Sequence, residues 1–424
     1  MNHDFIIRAR QVFTAVSDDV IRDGVVVVEG SRIHAVGKAA DFGSRADGAP
    51  VVDTLLPGFV DSHAHPTLPS DGRPLAAQAE AGPELAALTA AVQLRRHLAS
   101  GYTTVVDCGA KGETGFALKA ASRMGLIGGP RLRVVGRPIT PTSGHMSWCG
   151  STADSVSDVR REVYILASKG ADAIKVIASG GGTGGIPSRP AYDVESLTAL
   201  AAAAHDQGLR AVAHCRATTA IERSVQAGID ILAHLEFIEP GALQDLGGGA
   251  PTSIPRYDPR VGQAVARSDA YLDLNPHSSG WDTVLRLRAE AAERNPSAAE
   301  VATLRGLELY FEAMLGVIRE LAGLGLVDRM TFGSDAGPFD TEFGHPEYNV
   351  DLARQAGLSA AQSIQVITRN AAASIGLESE VGTIEAGKRA DLVMLARDPL
   401  ADARAIASPQ CVVLDGKVVA GSLN

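Results

Sequence analysis

Both ends of the chain cluster β-branched residues in short runs, and the middle follows a different rhythm. Residues 4–15 (DFIIRARQVFTA), 24–37 (GVVVVEGSRIHAVG) and 50–54 (PVVDT) are rich in Val, Ile and Phe and separated by Gly and Asp turns, which predicts strands. The far end repeats the pattern at 390–396 (ADLVMLA) and 411–422 (CVVLDGKVVAGS), where Asp415 followed by Gly416 signals a hairpin. The two ends, 1–55 and 376–424, are expected to pack as one small β-sandwich domain flanking a separate domain, 56–375.

That central domain alternates. Apolar runs suited to buried parallel strands fall at 56–60, 103–107, 132–135, 173–178, 210–213, 230–233, 271–274 and 330–333. Ala- and Leu-rich segments of helical period lie between them, as at 83–100, 194–207 and 299–323. Eight strands alternating with helices predict an α/β fold of the (β/α)8 TIM barrel type. An open doubly wound sheet is the alternative, but no GxGxxG follows the first strand. The long, Gly- and Pro-containing segment 238–269 is expected to be a rim loop that shapes a substrate site.

Composition narrows the function. With 45% hydrophobic residues the chain has ample material for a large core, which excludes disorder. A net charge of −10 argues against sequence-independent binding of nucleic acid or an anionic membrane. No stretch is a membrane span or a signal-peptide core, so a cytoplasmic protein acting on a small-molecule substrate is expected. The four cysteines, Cys108, Cys149, Cys215 and Cys411, form no CxxC and suit neither a disulfide framework nor a thiolate zinc site. Attention passes to the eleven histidines.

Several polar residues stand at the ends of the predicted strands. The first ends FVDSHAHP, and His63 and His65, two apart on an extended strand, point to one side, where both imidazoles can reach one metal ion. An HxH alone is equally a turn with solvated histidines. Lys175 interrupts the apolar fourth strand, ADAIKVIASGGG. It is either a barrel-interior lysine paired with a carboxylate or a lysine that loses its proton on burial. As a neutral amine it can add carbon dioxide and become a carbamate able to bridge two metals. The fifth strand ends in His214, the sixth in His234 and the eighth in Asp335. Singly, each histidine reads as a satisfied core residue, and the aspartate as a lone loop residue, a helix N-cap or a catalytic base. Together, all six fall at the C-terminal rim, where barrel enzymes build their active sites.

This order resembles the amidohydrolase superfamily of metal-dependent hydrolases. PGFVDSHAHP matches its strand-one motif, and GTIEAGKRADLVML (382–395) matches the segment leading from its barrel into the terminal β domain. The resemblance implies a binuclear centre of two divalent ions, zinc in most members, with cobalt, manganese or nickel able to substitute. His63, His65 and Asp335 would hold the buried ion, His214 and His234 the more exposed one, and Lys175, as N6-carboxylysine, would bridge them. Lys175 also sets the branch, because the mononuclear deaminases and imidazolonepropionases share strand one but lack the lysine. AIKVIASGGGTGGIPSRPAYDVESLTAL and RAVAHCRATTAIERSVQAGIDILAHLEFIE look like the Xaa-Pro dipeptidase branch. That branch also holds hydrolases of carbamates and N-acyl amino acids, including mycotoxin- and herbicide-degrading members.

The implied activity is hydrolysis of an amide C–N bond in a dipeptide, an Xaa-Pro peptide or an N-acyl amino acid. Asp335 would take a proton from the attacking hydroxide and deliver it to the leaving amine. The alternatives are a carbamate, ester, cyclic amide or xenobiotic amide as substrate, a deaminase, or a barrel without catalysis. His145, in TSGHMSWCG, is the candidate oxyanion donor and substrate contact. Arg189, Tyr192 and His277 are weaker substrate-binding candidates, and Arg216 is compatible with either a binding or a structural role. His3, His34, His97 and His205 read as structural, and His345 is left open. GGGTGG at 180–185 lacks the GK[ST] of a phosphate loop and is expected to be a mobile loop on the substrate side. By analogy with relatives, a homo-oligomer is expected.

Overall fold

The run 56–60 divides between two sheets. In a computed structural model describing residues 4–241, 253–278 and 280–423, Val51–Pro57 and Phe59–Ala64 are separate strands on either side of Gly58. The first pairs in parallel with Phe5–Phe13 and antiparallel with Leu392–Leu395. The second runs parallel to Tyr102–Asp107 and opens the barrel. Gly58 donates its N–H to the Asp391 carbonyl at 2.8 Å. A Cβ there would lie 2.2 Å from Thr103 Oγ1, so only glycine lets the backbone pass between the sheets at this point.

Both chain ends build one seven-stranded sheet. Its order is Lys417–Gly421, Cys411–Leu414, Leu392–Leu395, Val51–Pro57, Phe5–Phe13, Val20–Glu29 and Arg32–Lys38. Ile7, Val26 and Ile33 share a buried cluster with Leu392, Met394 and Val413, which lie on the other side of the central strand. The Ile33 N–H also reaches the Lys388 carbonyl at 2.9 Å. The sheet therefore folds over its own apolar face, which explains why β-rich runs some 350 residues apart in sequence share one core.

The barrel strands are Phe59–Ala64, Tyr102–Asp107, Arg131–Val134, Ile174–Ile177, Ala211–Ala217, Ile231–Ile238, Tyr271–Asp273 and Met330–Thr331. Every hydrogen-bonded neighbour pair among them is parallel. Asp172 N–H to Val134 carbonyl, 2.8 Å, joins the third strand to the fourth. Asp335 N–H to His63 carbonyl, 2.7 Å, and His65 N–H to Ala336 carbonyl, 2.8 Å, close the eighth onto the first. The result is the TIM barrel with a terminal β domain.

Helices cover the outside of the barrel, as a parallel sheet requires. Pro83–Ala99 begins with proline in its first turn, Val194–Asp206 is capped by Asp193, and Ala298–Gly323 by a Ser297/Glu300 capping box. Two features escaped the sequence pattern. Ile139–Thr140 and Ser151–Thr152 form a two-residue strand pair beside Ile174–Ile177, too short to show a period. Within 238–269, Pro259–Arg267 is a helix capped by Asp258, while 242–252, like His3, lies outside the described residues. No described helix is long and apolar enough to cross a membrane.

Candidate metal centre and active-site cavity

His63 and His65 lead from the first barrel strand to a cavity at the C-terminal rim that His65, Lys175, His214, His234 and Asp335 line. The His63 ring is fully buried. Its Nδ1 lies 2.8 Å from Asp273 Oδ2, and Asp273 Oδ1 accepts Ser62 Oγ–H at 2.8 Å and Gly333 N–H at 3.2 Å. Asp273 thus holds the proton of His63 on Nδ1 and leaves the Nε2 lone pair facing the cavity. His65 is fixed in the same sense, with Nδ1 3.3 Å from the Gly109 carbonyl.

Asp335 arrives from the eighth strand with φ at 48°, a left-handed conformation that an aspartate holds only where its surroundings fix it. Asp61 supplies part of that constraint. Its Oδ1 accepts N–H from His63 and Ser334, and its Oδ2 accepts Ser334 Oγ–H at 2.6 Å and meets His97 Nε2 at 2.8 Å. Asp335 Oδ1 stands 3.4 Å from His65 Nε2 and 3.7 Å from His63 Nε2. The ligand atoms of His63, His65 and Asp335 all lie within 4.8 Å of one another, a spacing one cation can satisfy.

The other two histidines face this trio. The His214 ring centroid is 4.5 Å from that of His234, and His234 is 5.2 Å from His63. His214 Nε2 lies 3.3 Å from the Gly180 carbonyl, which leaves Nδ1 as its free donor atom. His234 has φ at 73° and Leu235 at 47°, so the sixth strand curls sharply as it delivers the ring. Lys175 is 1% exposed and lines the same cavity as His65, His214, His234 and Asp335, with Nζ 2.7 Å from His63 Nε2. No carboxylate among the described residues lies within ion-pair distance of that nitrogen.

Electrostatics favour ligand forms. Burial pushes His63, His65, His214 and His234 well below the ordinary 6.5, so each ring is a neutral imidazole with a lone pair to give. Burial also raises Asp335 to about 7 and Asp273 to about 6 in the metal-free chain. The donor set, four neutral imidazoles, a carboxylate and a lysine amine closed off from water, fits divalent cations.

The family-level comparison agrees with this geometry. The amidohydrolase family model matches residues 54–419. The chain belongs to the amidohydrolase family. It is therefore a metal-dependent hydrolase of C–N bonds, and family members act on small molecules. An imidazolonepropionase from Micrococcus luteus is 25% identical over 89% of this chain and 88% of its own length. An ochratoxinase from Aspergillus niger is 22% identical, covering 92% and 81%. Among solved structures, a Xaa-Pro dipeptidase with bound methionine superposes with a TM-score of 0.78 at 24% identity over 98% of this chain and 99% of that one.

In this amidohydrolase, His145 lines the same cavity as the cluster. Its Nδ1 accepts the Thr183 N–H at 3.2 Å and lies 2.8 Å from Thr183 Oγ1, whose oxygen accepts the Met146 N–H at 2.9 Å. The hydroxyl proton must then point at Nδ1, and the imidazole proton stays on Nε2. Burial, followed by the charges of Lys175 and Arg216, holds its pKa down to about 3. The glycine loop lies on the substrate side, with Gly182 in the lining, but it is fastened to the His145 turn rather than hanging free. Gly181 bridges Gly184, and a Cβ on Gly181 would lie 2.6 Å from His145 Cδ2.

Three predicted substrate contacts are not brought to the cavity. Tyr192 packs into the barrel–helix core and donates its hydroxyl to the Ala153 carbonyl at 2.8 Å. Arg189 is exposed beside the bridge between Ser179 and Pro190 and does not line the cavity. His277 is buried behind the wall with Nε2 2.8 Å from Asp282 Oδ2, and its neighbour Ser278 takes the lining position. No described residue of the 238–269 segment lines the cavity. Asp61, Asp273, Thr183 and Glu236 escaped the sequence reading. The available signals were Asp61 inside the FVDSHAH run, Asp273 as the charged residue within the predicted strand 271–274 and Glu236 two residues after His234.

Proposed function

We propose that this amidohydrolase uses a binuclear divalent-metal centre to hydrolyse the amide bond of a dipeptide, Xaa-Pro or N-acyl amino acid type substrate. The observation that carries the reading is Lys175. It is a buried amine with no carboxylate partner among the described residues, set against His63 in the cavity that His65, His214, His234 and Asp335 also line. An unpaired buried ammonium is costly, and conversion to N6-carboxylysine removes that cost while creating a two-oxygen ligand. The nitrogen lone pair attacks carbon dioxide, the N–C bond forms and the amine proton leaves to solvent. His63, His65 and Asp335 would hold one ion, His214 and His234 the other, with carboxylated Lys175 between them.

Zinc suits this imidazole and carboxylate set, and cobalt, manganese or nickel accept the same ligands. When bound, the ions supply polarisation of the scissile carbonyl and a lowered pKa for the attacking water. The chain supplies the rest. Asp335 receives the proton of the attacking water and hands it to the departing amine. His145, with its proton on Nε2, donates to the carbonyl oxygen as negative charge develops there. The likeness to a structure named as a Xaa-Pro dipeptidase supports the dipeptide class.

The test joins metal analysis to turnover. Protein prepared with zinc and bicarbonate should carry two ions per chain and show Lys175 lengthened by one carbon dioxide in a density map. It should cleave members of a panel of N-acyl amino acids and Xaa-Pro dipeptides. One ion with unmodified Lys175 would sink the binuclear reading. Turnover confined to carbamates, esters or cyclic amides in the same panel would sink the substrate class.

A further inference from the structure

Two cations line the cavity among the described residues, Lys175 and Arg216, and Lys175 is absorbed by the metal centre. Arg216 follows His214 by two residues on the fifth strand and Glu236 follows His234 by two on the sixth, and all four side chains line the same cavity, so the pair lies beside two of the proposed metal ligands. Arg216 Nε and Nη2 both meet Glu236 Oε2, at 2.8 and 2.7 Å, and a further hydrogen bond joins Arg216 to Tyr310. The Arg216 side chain is 18% exposed and that of Glu236 3%, so the member that faces the cavity is the guanidinium.

We propose that Arg216 is the anion-recognition residue of this site and that the preferred substrates are amides carrying a free carboxylate. The inference rests on the amide-hydrolase reading above. A guanidinium has more N–H donors than the two Glu236 contacts and the Tyr310 contact use, and its planar fork matches a carboxylate. Glu236 and Tyr310 fix the plane in advance, so little side-chain freedom is lost when a carboxylate binds. Glu236 also keeps the empty wall near neutral, which makes the buried arginine tolerable between substrates. Around the mouth, Leu68, Leu75, Met146, Trp148, Pro338 and Phe339 form an apolar collar. A substrate bound between them would place its carboxylate on Arg216, its amide over the metal ligands and an apolar acyl group in the collar.

The test compares N-benzoyl-alanine with N-benzoyl-isopropylamine, which has the same scissile bond and a methyl group in place of the carboxylate. Metal-loaded wild type should favour the acid, mainly through KM. Arg216→Met should raise KM for the acid about ten- to hundredfold, the loss expected for a charge-assisted hydrogen-bonded pair, and collapse the preference. Because Arg216→Met strands a buried Glu236, Arg216→Met/Glu236→Gln is measured beside it and should behave alike with the fold retained. Calorimetric binding of N-benzoyl-alanine is read on the same proteins. If the double variant keeps the wild-type preference or binding, Arg216 is not the anion site. If wild type binds the acid through Arg216 but cleaves neither compound, the recognition role stands and the proposed amide-hydrolase activity falls.

Discussion

Asp273 holds His63 from behind, Oδ2 to Nδ1 at 2.8 Å, although 210 residues separate them in sequence. The contact fixes both the rotamer and the tautomer of a proposed metal ligand, and the Ser62 and Gly333 contacts to Asp273 fix the carboxylate itself. Replacing Asp273 with Asn keeps the shape but replaces the charged acceptor with an amide that can turn its N–H toward the ring. Metal affinity should fall about 10- to 100-fold, the usual effect of losing such an outer partner. Competition against a metal-binding dye checks this, and wild-type affinity in the variant would show that His63 needs no such support.

Asp335 is assigned both ligand and proton-carrier roles, and Asn can fill only part of the first. Asp335→Asn should lower kcat by about 10²- to 10⁴-fold, the range for a lost general acid–base. The melting temperature should stay near wild type, because the backbone tie from Asp335 N–H to the His63 carbonyl survives. Retained turnover in a metal-replete Asp335→Asn protein would transfer the proton role elsewhere.

His145 carries a stability signature of its own. Its folded pKa is pushed down to about 3 against 6.5 when unfolded. Between those values the unfolded chain binds the proton and the folded chain does not. The shift therefore costs nothing above pH 6.5 and destabilises the fold progressively as the pH falls toward 3. Glutamine does not titrate, so the wild-type stability should drop relative to His145→Gln by about 1.4 kcal/mol per pH unit below 6.5. Urea titrations of both metal-free proteins at pH 7.5 and 5.0 read the gap directly. A gap independent of pH would mean that the ring stays protonatable inside the fold.

The sequence showed the barrel because parallel strands buried on both faces read as apolar runs, and it showed Lys175, His214, His234 and Asp335 because each breaks or ends such a run. Local patterns carry that much. Asp273 was hidden because an aspartate near the end of a short strand is ordinary, and its partner is set by barrel closure rather than by spacing. Tyr192 was misjudged as a substrate contact for a related reason. Its place after Lys175 is local, but which side of the hairpin its ring takes depends on the Ala153 carbonyl, which belongs to another element. The division at Gly58 was invisible because the need for glycine comes from Thr103, on a neighbouring strand.

Gly181 ties this lesson to activity. GGGTGG read as a segment chosen for freedom, yet the Cβ that alanine would add lies 2.6 Å from His145 Cδ2 and 2.8 Å from its Nε2. Both contacts are closer than carbon atoms tolerate, and the ring cannot retreat easily, because its centroid is 4.9 Å from that of His214 and its Nδ1 is held by Thr183. Gly181→Ala must therefore move the imidazole, the glycine loop or both. A displacement near 1 Å at a proposed carbonyl donor costs about 10²-fold in rate. The predicted outcome is a loss of that order in kcat, with the metal content unchanged, since Gly181 touches none of the six proposed ligands in the same way. Loss of metal together with rate would instead mean that the loop supports His214 through the Gly180 carbonyl. Undiminished kcat would remove His145 from the chemistry.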